Sequence, residues 1–288
     1  MPPRIGLIGL GLLGHAVAAR LIAGAYDVVG YDVARERMAA FAALGGRAAP
    51  SAVAVAGEAD AVCVVLPSLA TVEGVILGAD GLVAHGRKGQ TILQMSTISP
   101  ALTRKLARVV EGHGLGFLDT PVSGTSVMVA EGQGVIFVGG ERALFERWRE
   151  VLEAVLPRPV YVGPAGQAMV LKLVANLLVG LHSAAAAEAI TMARKAGLDL
   201  DLTLDALANG AAGSRMLEVR GPLIAKGEFP PQMKLELFVK DLHLIQDAAR
   251  EVGAPLPLTD VAERLYARAQ AAGHGPKDLA VVATALQP

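Results

Sequence analysis

A lysine stands four residues before an asparagine inside an apolar run. The stretch "VLKLVANLLVGL", residues 170–181, sets Lys172 and Asn176 one turn apart on one face of a helix. An unpaired ammonium group is expensive to bury. Lys172 therefore either extends its stem to water or lines a cavity where its proton is used. Where a hydride leaves or joins a carbinol carbon, a proton must leave or join the attached oxygen. A lysine desolvated by apolar neighbours has its pKa lowered towards neutrality, which suits it to that exchange. An amide at i+4 can orient the ammonium group or the oxygen it serves.

A second constellation could supply the hydride carrier. In "GLGLLG", residues 9–14, Gly9, Gly11 and Gly14 have G-x-G-x-x-G spacing, between a strand pattern and a helix pattern. Gly9 permits a tight turn, Gly11 lets a pyrophosphate approach the backbone, and Gly14 lets helix and strand pack closely. Leu12 and Leu13 open the helix, whose first N–H groups face the phosphates. Asp32 ends the second strand pattern, 18 residues beyond Gly14. A carboxylate there accepts hydrogen bonds from the adenosine ribose and repels a 2′-phosphate, which favours NAD and leaves NADP possible. Arg35 and Arg37 follow; they could hold such a phosphate or be solvated charges on a surface helix.

The elements that must position these groups are legible in the hydrophobic pattern. Strands are expected in "RIGLIGL" (4–10), "YDVVGYD" (26–32), "DAVCVVLP" (60–67), "QTILQMS" (90–96), "LGFLDTPV" (115–122), "GVIFVGG" (134–140) and "PVYVG" (159–163). They are apolar on both faces, as parallel strands covered by helices are. Amphipathic stretches such as "LLGHAVAARLIAG", "ARERMAAFAALG" and "PALTRKLARVVEGHG" alternate with them. The implied fold is a doubly wound, mostly parallel α/β Rossmann domain over residues 1–163. Residues 164–288 carry no strand pattern and read as an all-helical domain, with helices at about 165–196, 202–210, 235–253, 257–273 and 277–286. The first of these helices joins the two domains. So apolar a helical domain would expose hydrophobic surface in a monomer, which points to homo-oligomerisation.

Composition excludes several classes. With 53% hydrophobic and 18% charged residues over 288 positions, the chain buries a large core and is not disordered. A net charge of −1 gives no reason to expect nucleic acid or an anionic membrane as partner. The single cysteine, Cys63, lies in a strand pattern and cannot form an intramolecular disulfide, which fits a reducing, cytoplasmic compartment. The N-terminus imitates a signal peptide, but glycines at 6, 9, 11 and 14 argue against one. The run 165–193 is long enough to span a bilayer; Lys172, Asn176, His182 and Glu188 within it favour a buried helix of a soluble protein.

The order of GLGxxG, Asp32, "MSTISP", "DTPVSG", the lysine helix and "KDL" resembles the β-hydroxyacid dehydrogenase family over nearly the whole chain. That family includes 3-hydroxyisobutyrate dehydrogenases and tartronate semialdehyde reductases. The resemblance implies a Rossmann domain and a helical domain joined by one long helix, assembled as homodimers or homotetramers through the helical domains. It implies that Lys172 is the catalytic acid/base and Asn176 its substrate-positioning partner. Ser123 and the Gly124 N–H would hold a substrate carboxylate; Ser96 and Thr97 would lie beside nicotinamide and substrate. Pro67 would border the cofactor. Lys240 and Asp241 would close the site, Lys240 near nicotinamide or carboxylate. No metal is expected.

Three positions depart from the family pattern. Thr125 stands where a second glycine is usual, Ala175 where many members have a second asparagine, and Leu13 where Met is common. Ser214 and Arg215 fall where members shape the far end of the substrate pocket; an inward Arg215 would suit an acidic second substituent. Other readings of the residues remain: Ser96, Thr97 and the Ser99-Pro100 pair could cap a helix, and Lys240 and Asp241 could form a solvated helix face. The whole could be an imine reductase-like enzyme, although those usually lack the lysine, or a cofactor-binding sensor without turnover.

Overall fold

The structure, a computed structural model of the chain, describes residues 2–286. Among the described residues nine strands form: β1 (Ile5–Ile8), β2 (Val28–Tyr31), β3 (Arg47–Ala48), β4 (Ala61–Val64), β5 (Thr91–Gln94), β6 (Gly116–Asp119), β7 (Val122–Ser123), β8 (Val135–Gly140) and β9 (Val160–Gly163). All but β3 and β7 are the centres of the expected apolar runs. Those two have two residues each, too few to show a pattern.

The sheet order is β3-β2-β1-β4-β5-β6-β8-β7, with β9 beside β8. Strands β1 to β6 are parallel where they pair. β8 runs antiparallel to β6, pairing Gly140 with Leu118. The physical reason is the short connection: β7 and a five-residue helix return the chain to the end of the sheet where β6 finished, so no crossover is made. Helices α1 (Leu12–Ala23), α2 (Arg35–Ala43), α3 (Ala52–Glu58), α4 (Leu69–Leu77), α5 (Leu82–His85), α6 (Pro100–Gly112), α7 (Ser126–Ala130) and α8 (Arg142–Val155) fill the connections.

Side chains alternate along a strand, so one strand feeds two cores. Ile5 and Leu7 of β1 pack with Val17, Leu21, Phe145 and Trp148; Ile8 packs in a second cluster with Val29, Val55, Val62, Val64 and Phe117. All are at most 2% exposed, and each contributes about 1.5–3 kcal/mol relative to an exposed position. Serine or threonine caps start several helices: Ser51, Ser68, Ser99 and Thr125 each accept a backbone N–H of the first turn.

The chain divides into two compact units at Lys172/Leu173, within the helix α9 (Gln167–Lys195). The second unit continues with α10 (Leu200–Asn209), α11 (Arg215–Lys226), α12 (Leu235–Glu251) and α13 (Pro257–Ala269), then a π-helical turn and a 3₁₀ helix over Leu279–Leu286. No strand occurs among its described residues. The doubly wound, mostly parallel α/β domain followed by an all-helical region is therefore the architecture the sequence implied. The helix ends shift by a few residues, and one helix is additional to those expected. α13 passes at Ala269 into a π-helical turn over Gln270–His274, which bends at Gly273, whose φ of +84° is closed to most L-residues. α11 is the additional helix; Gly221 and Pro222 inside it weaken its helical pattern.

Candidate active site

Strand register brings the candidate groups to one edge. Ile8 pairs with Tyr31 and Val64, Val64 with Gln94, and Gln94 with Asp119. The residues that follow this row are Gly9, Asp32, Val65, Met95 and Thr120. The glycine loop, Asp32, Pro67, Ser96, Thr97, Ser123 and Gly124 thus all lie on segments leaving the carboxyl ends of parallel strands. The order reverses there between β1 and β4, and such switch points are where open α/β sheets bind ligands.

The loop after β1 is built around its glycines. Gly9 has φ +94°, and a Cβ there would stand 2.0 Å from the Val65 carbonyl oxygen. A Cβ on Gly14 would stand 1.9 Å from the Gly9 oxygen. Around Gly11 the space is open, with only Arg37 Nη1 within 4 Å, at 3.9 Å. Unlike the serine-capped helices, α1 has no side-chain cap and no acidic residue in its first turn. An open backbone face with free N–H groups at Leu12 and Leu13 fits a pyrophosphate.

Asp32, 8% exposed, accepts the Leu10 N–H at 2.8 Å and the Ala34 N–H at 2.9 Å. Arg37 Nη1 lies 3.3 Å from its Oδ2. Arg37 is thus an exposed charge on the surface of α2, as one reading of the sequence had it, and at the same time the partner of Asp32.

On the neighbouring segments the roles divide. Ser96 is buried, and its hydroxyl accepts the Leu66 N–H at 2.8 Å and donates to the Val64 oxygen at 3.2 Å. That hydroxyl holds the backbone that leads to Pro67, which is itself exposed. Ser99, not Ser96 or Thr97, caps α6, with Pro100 at its first position. Ser123 and Gly124 are half-buried. Thr125, the departure from the usual glycine, accepts the Met128 N–H at 3.2 Å as the cap of α7. Its side chain thus has a local structural job.

At the start of α9, Asp119 of β6 accepts the Gly166 N–H at 3.1 Å and the Met169 N–H at 2.9 Å, both on Oδ2. Burial pushes its pKa up to about 7, against the opposing effect of those two N–H groups. One turn beyond Met169 comes Lys172, 8% exposed and so not extended to solvent.

In the second unit Asn176, 4% exposed, donates from Nδ2 to Asp241 Oδ2 at 2.8 Å. Lys240 Nζ lies 2.9 Å from Asp241 Oδ1, and Asp241 is 1% exposed. The solvated helix face that Lys240 and Asp241 might have formed is thus replaced by a buried carboxylate held between an amide and an ammonium group. Arg215 pairs with Glu218 at 2.9 Å on the exposed side of α11.

Comparison with known proteins bears on these features as a set. Residues 4–163 match the family pattern described as the NAD binding domain of 6-phosphogluconate dehydrogenase. Residues 165–286 match that described as NAD-binding of NADP-dependent 3-hydroxyisobutyrate dehydrogenase. The chain belongs to the β-hydroxyacid dehydrogenase family. Members of the family are NAD(P)-dependent oxidoreductases, and so is this chain. It is 33% identical to an L-threonate dehydrogenase of Cupriavidus necator over 96% of its length and 94% of the relative's. It is 34% identical to the 2-hydroxy-3-oxopropionate reductase of Escherichia coli, covering 99% and 97%. A crystal structure of a 3-hydroxyisobutyrate dehydrogenase from Salmonella typhimurium superposes with a TM-score of 0.91 at 33% identity, covering 98% and 99%.

Within this β-hydroxyacid dehydrogenase, the residue that no sequence pattern singles out is Asp119; Arg37 is a candidate from sequence, but not as the partner of Asp32. Arg37 was within reach, five residues from Asp32. Asp119 contacts groups 47 and 50 residues away, and no local signal marks it.

Proposed function

We propose that the chain is an NAD-preferring dehydrogenase, or reductase in the reverse direction, of a small β-hydroxy acid and its semialdehyde or keto form. The observation that carries the reading is Lys172, buried on the inward face of α9 one turn after that helix is fastened to the carboxyl edge of the sheet. Residues 1–163 are assigned to cofactor binding and 164–288 to substrate selection and assembly, in a cytoplasmic enzyme.

The bound nicotinamide would supply the hydride acceptor or donor. The chain's own residues do the rest. Gly9, Gly11, Leu12, Leu13 and Gly14 cradle the pyrophosphate, with Pro67, Ser96 and Thr97 along the cofactor. Ser123 and the Gly124 N–H hold the substrate carboxylate, which orients the carbinol carbon. Lys172 takes the hydroxyl proton on oxidation and returns it on reduction. The Asn176 Nδ2 is engaged by Asp241, so its Oδ1 is the atom left to orient the ammonium group or hydroxyl. Lys240 is assigned to nicotinamide or carboxylate, with Asp241 as its counter-ion. The relatives that act on L-threonate and 2-hydroxy-3-oxopropionate make four- and three-carbon polyhydroxy acids the first substrates to try.

Cofactor choice follows from Asp32. On this reading its carboxylate takes the ribose hydroxyls and repels a 2′-phosphate, and the Arg37 guanidinium beside it serves as its counter-ion. A panel of β-hydroxy acids and semialdehydes assayed with both cofactors should show turnover, with kcat/KM higher for NAD. A preference for NADP would refute the role given to Asp32; saturable NAD binding without turnover of any acid would favour a sensor.

Assembly is assigned to the exposed face of α9, where Val170, Val174 and Leu178 are 40%, 51% and 48% exposed at i+4 spacing. Such a stripe on a helix is covered in a homodimer or homotetramer. Light scattering should report at least a dimer for the native chain and a shift towards monomer for Leu178→Asp; a monomeric native chain would contradict the assignment.

A further inference from the structure

Asp119 is an uneconomical residue for stability alone. It is fully buried, its Oδ1 has no hydrogen-bond partner among the described residues, and burial raises its pKa. A neutral acceptor would satisfy the same two N–H groups with a smaller desolvation penalty. Its placement shows what else it does.

The segment that leads into α9 is "GPAG", residues 163–166, which offers no side-chain acceptor to the helix start. Gly163 and Gly166 have φ of +149° and +94°, so the backbone here is of the pliable kind. A helix begun in this way leaves its first N–H groups without partners and its origin loosely held. Asp119 satisfies two of those donors from another element altogether. Serine caps such as Ser51 and Ser99 close their own helices and fix nothing else. A cap reaching from the end of β6 fixes α9 to the sheet.

The same residue opens the "DTPVSG" segment, so Ser123 lies four residues one way along the chain. Lys172 lies three residues beyond Met169, about 4.5 Å along the helix axis. We propose that Asp119 is a positioning residue, a strut that locks the start of α9 to the carboxyl edge of the sheet and so holds Lys172 in register with the Ser123–Gly124 segment. This rests on the assignment of Lys172 as the proton-handling group. A displacement of about 1 Å at a reacting group can lower a rate on the order of 100-fold, and the strut removes that freedom.

The test compares Asp119→Ala, Asp119→Ser and Asp119→Asn in the full-length chain. It uses the hydroxy acid with the highest kcat/KM in the panel above, and NADH binding read by nicotinamide fluorescence. The alanine variant should lose roughly 30- to 100-fold in kcat while KM and the NADH Kd move less than about threefold. The asparagine variant, whose amide oxygen still accepts both N–H groups, should stay within about threefold of the native kcat, and serine should fall between. Native kcat in a folded alanine or serine variant overturns the proposal. So does a parallel loss of kcat, KM and NADH affinity, which would mark a merely structural residue.

Hydrogen exchange on the native protein tests the strut without any variant. The amides of Gly166 and Met169 should be protected like the interior of α9, and exchange at the rate of an open first turn overturns it. Should Lys172→Ala retain turnover, the assignment of the lysine fails instead, and the exchange measurement still reads the strut by itself.

Discussion

Lys172→Ala is expected to lower kcat by roughly 100- to 10,000-fold, the range general acid–base groups contribute, while the NAD(H) Kd changes less than about twofold. The split follows from where the two tasks lie. On the proposed reading, cofactor binding is built from the backbone of the glycine loop, the uncapped start of α1 and Asp32, none of which involves α9. The lysine side chain is 8% exposed, so its truncation leaves a space on a buried face that water or a small amine can enter. Added methylamine should therefore restore part of the lost rate, more at higher pH, where the free base is more abundant. A hydride transfer step that stays fast in single-turnover measurements of the alanine variant would show that the proton is handled elsewhere. Lys172→Arg sharpens the point. It keeps a cation but not one that can exchange its proton as an acid/base, and it should be nearly as slow as alanine.

The parts of this site legible in the sequence are those whose geometry is local. The G-x-G-x-x-G spacing encodes a turn whose steric reasons appear directly, with Gly9 and Gly14 closed to any Cβ. The i, i+4 spacing of Lys172 and Asn176 encodes a shared helix face, and both are found buried. Alternating strand and helix patterns encode the sheet, and parallel register then delivers the loops to one edge. What stayed hidden needed contacts between distant segments. Asn176 and Asp241 are 65 positions apart, and Asp119 and Met169 are 50 apart. "KDL" alone reads equally as a solvated face, and "DTPVSG" alone directs attention to its serine. Ser96 shows the opposite case. Its family position suggests a cofactor contact, yet its hydroxyl is bound to the backbone of the strand beside it. Its backbone is engaged as well, the N–H donating to Gln94 Oε1 and the carbonyl accepting from Gln94 Nε2, so the residue acts through the segment it holds. Pattern identifies which segments meet; it does not say which atom of a polar residue is still available when they do.

Replacing Arg220 with methionine should destabilise the helical unit by about 3–5 kcal/mol, the cost of leaving a buried charge without its partner. Arg220 and Asp278 are 2% and 1% exposed, with Nε 3.2 Å from Oδ1. Asp278 also accepts backbone N–H groups from Gln232, Met233 and Ala280, so one carboxylate gathers α11, the approach to α12 and the start of the final 3₁₀ helix. Methionine fills a similar volume but leaves the Asp278 side chain with three N–H groups and without its arginine partner. Thermal denaturation should show a fall in Tm on the order of 10 °C for that unit, with NAD binding at the first unit preserved below the transition. Asp278→Asn in the same chain should recover part of the loss, because it removes the uncompensated charge while keeping an acceptor. The pair is thus predicted to be strongly coupled in a double-mutant cycle. Unchanged melting of Arg220→Met would mean that the three backbone donors alone neutralise the carboxylate. The burial of Arg220 would then be a matter of packing its stem against Met216 and its neighbours, not of charge.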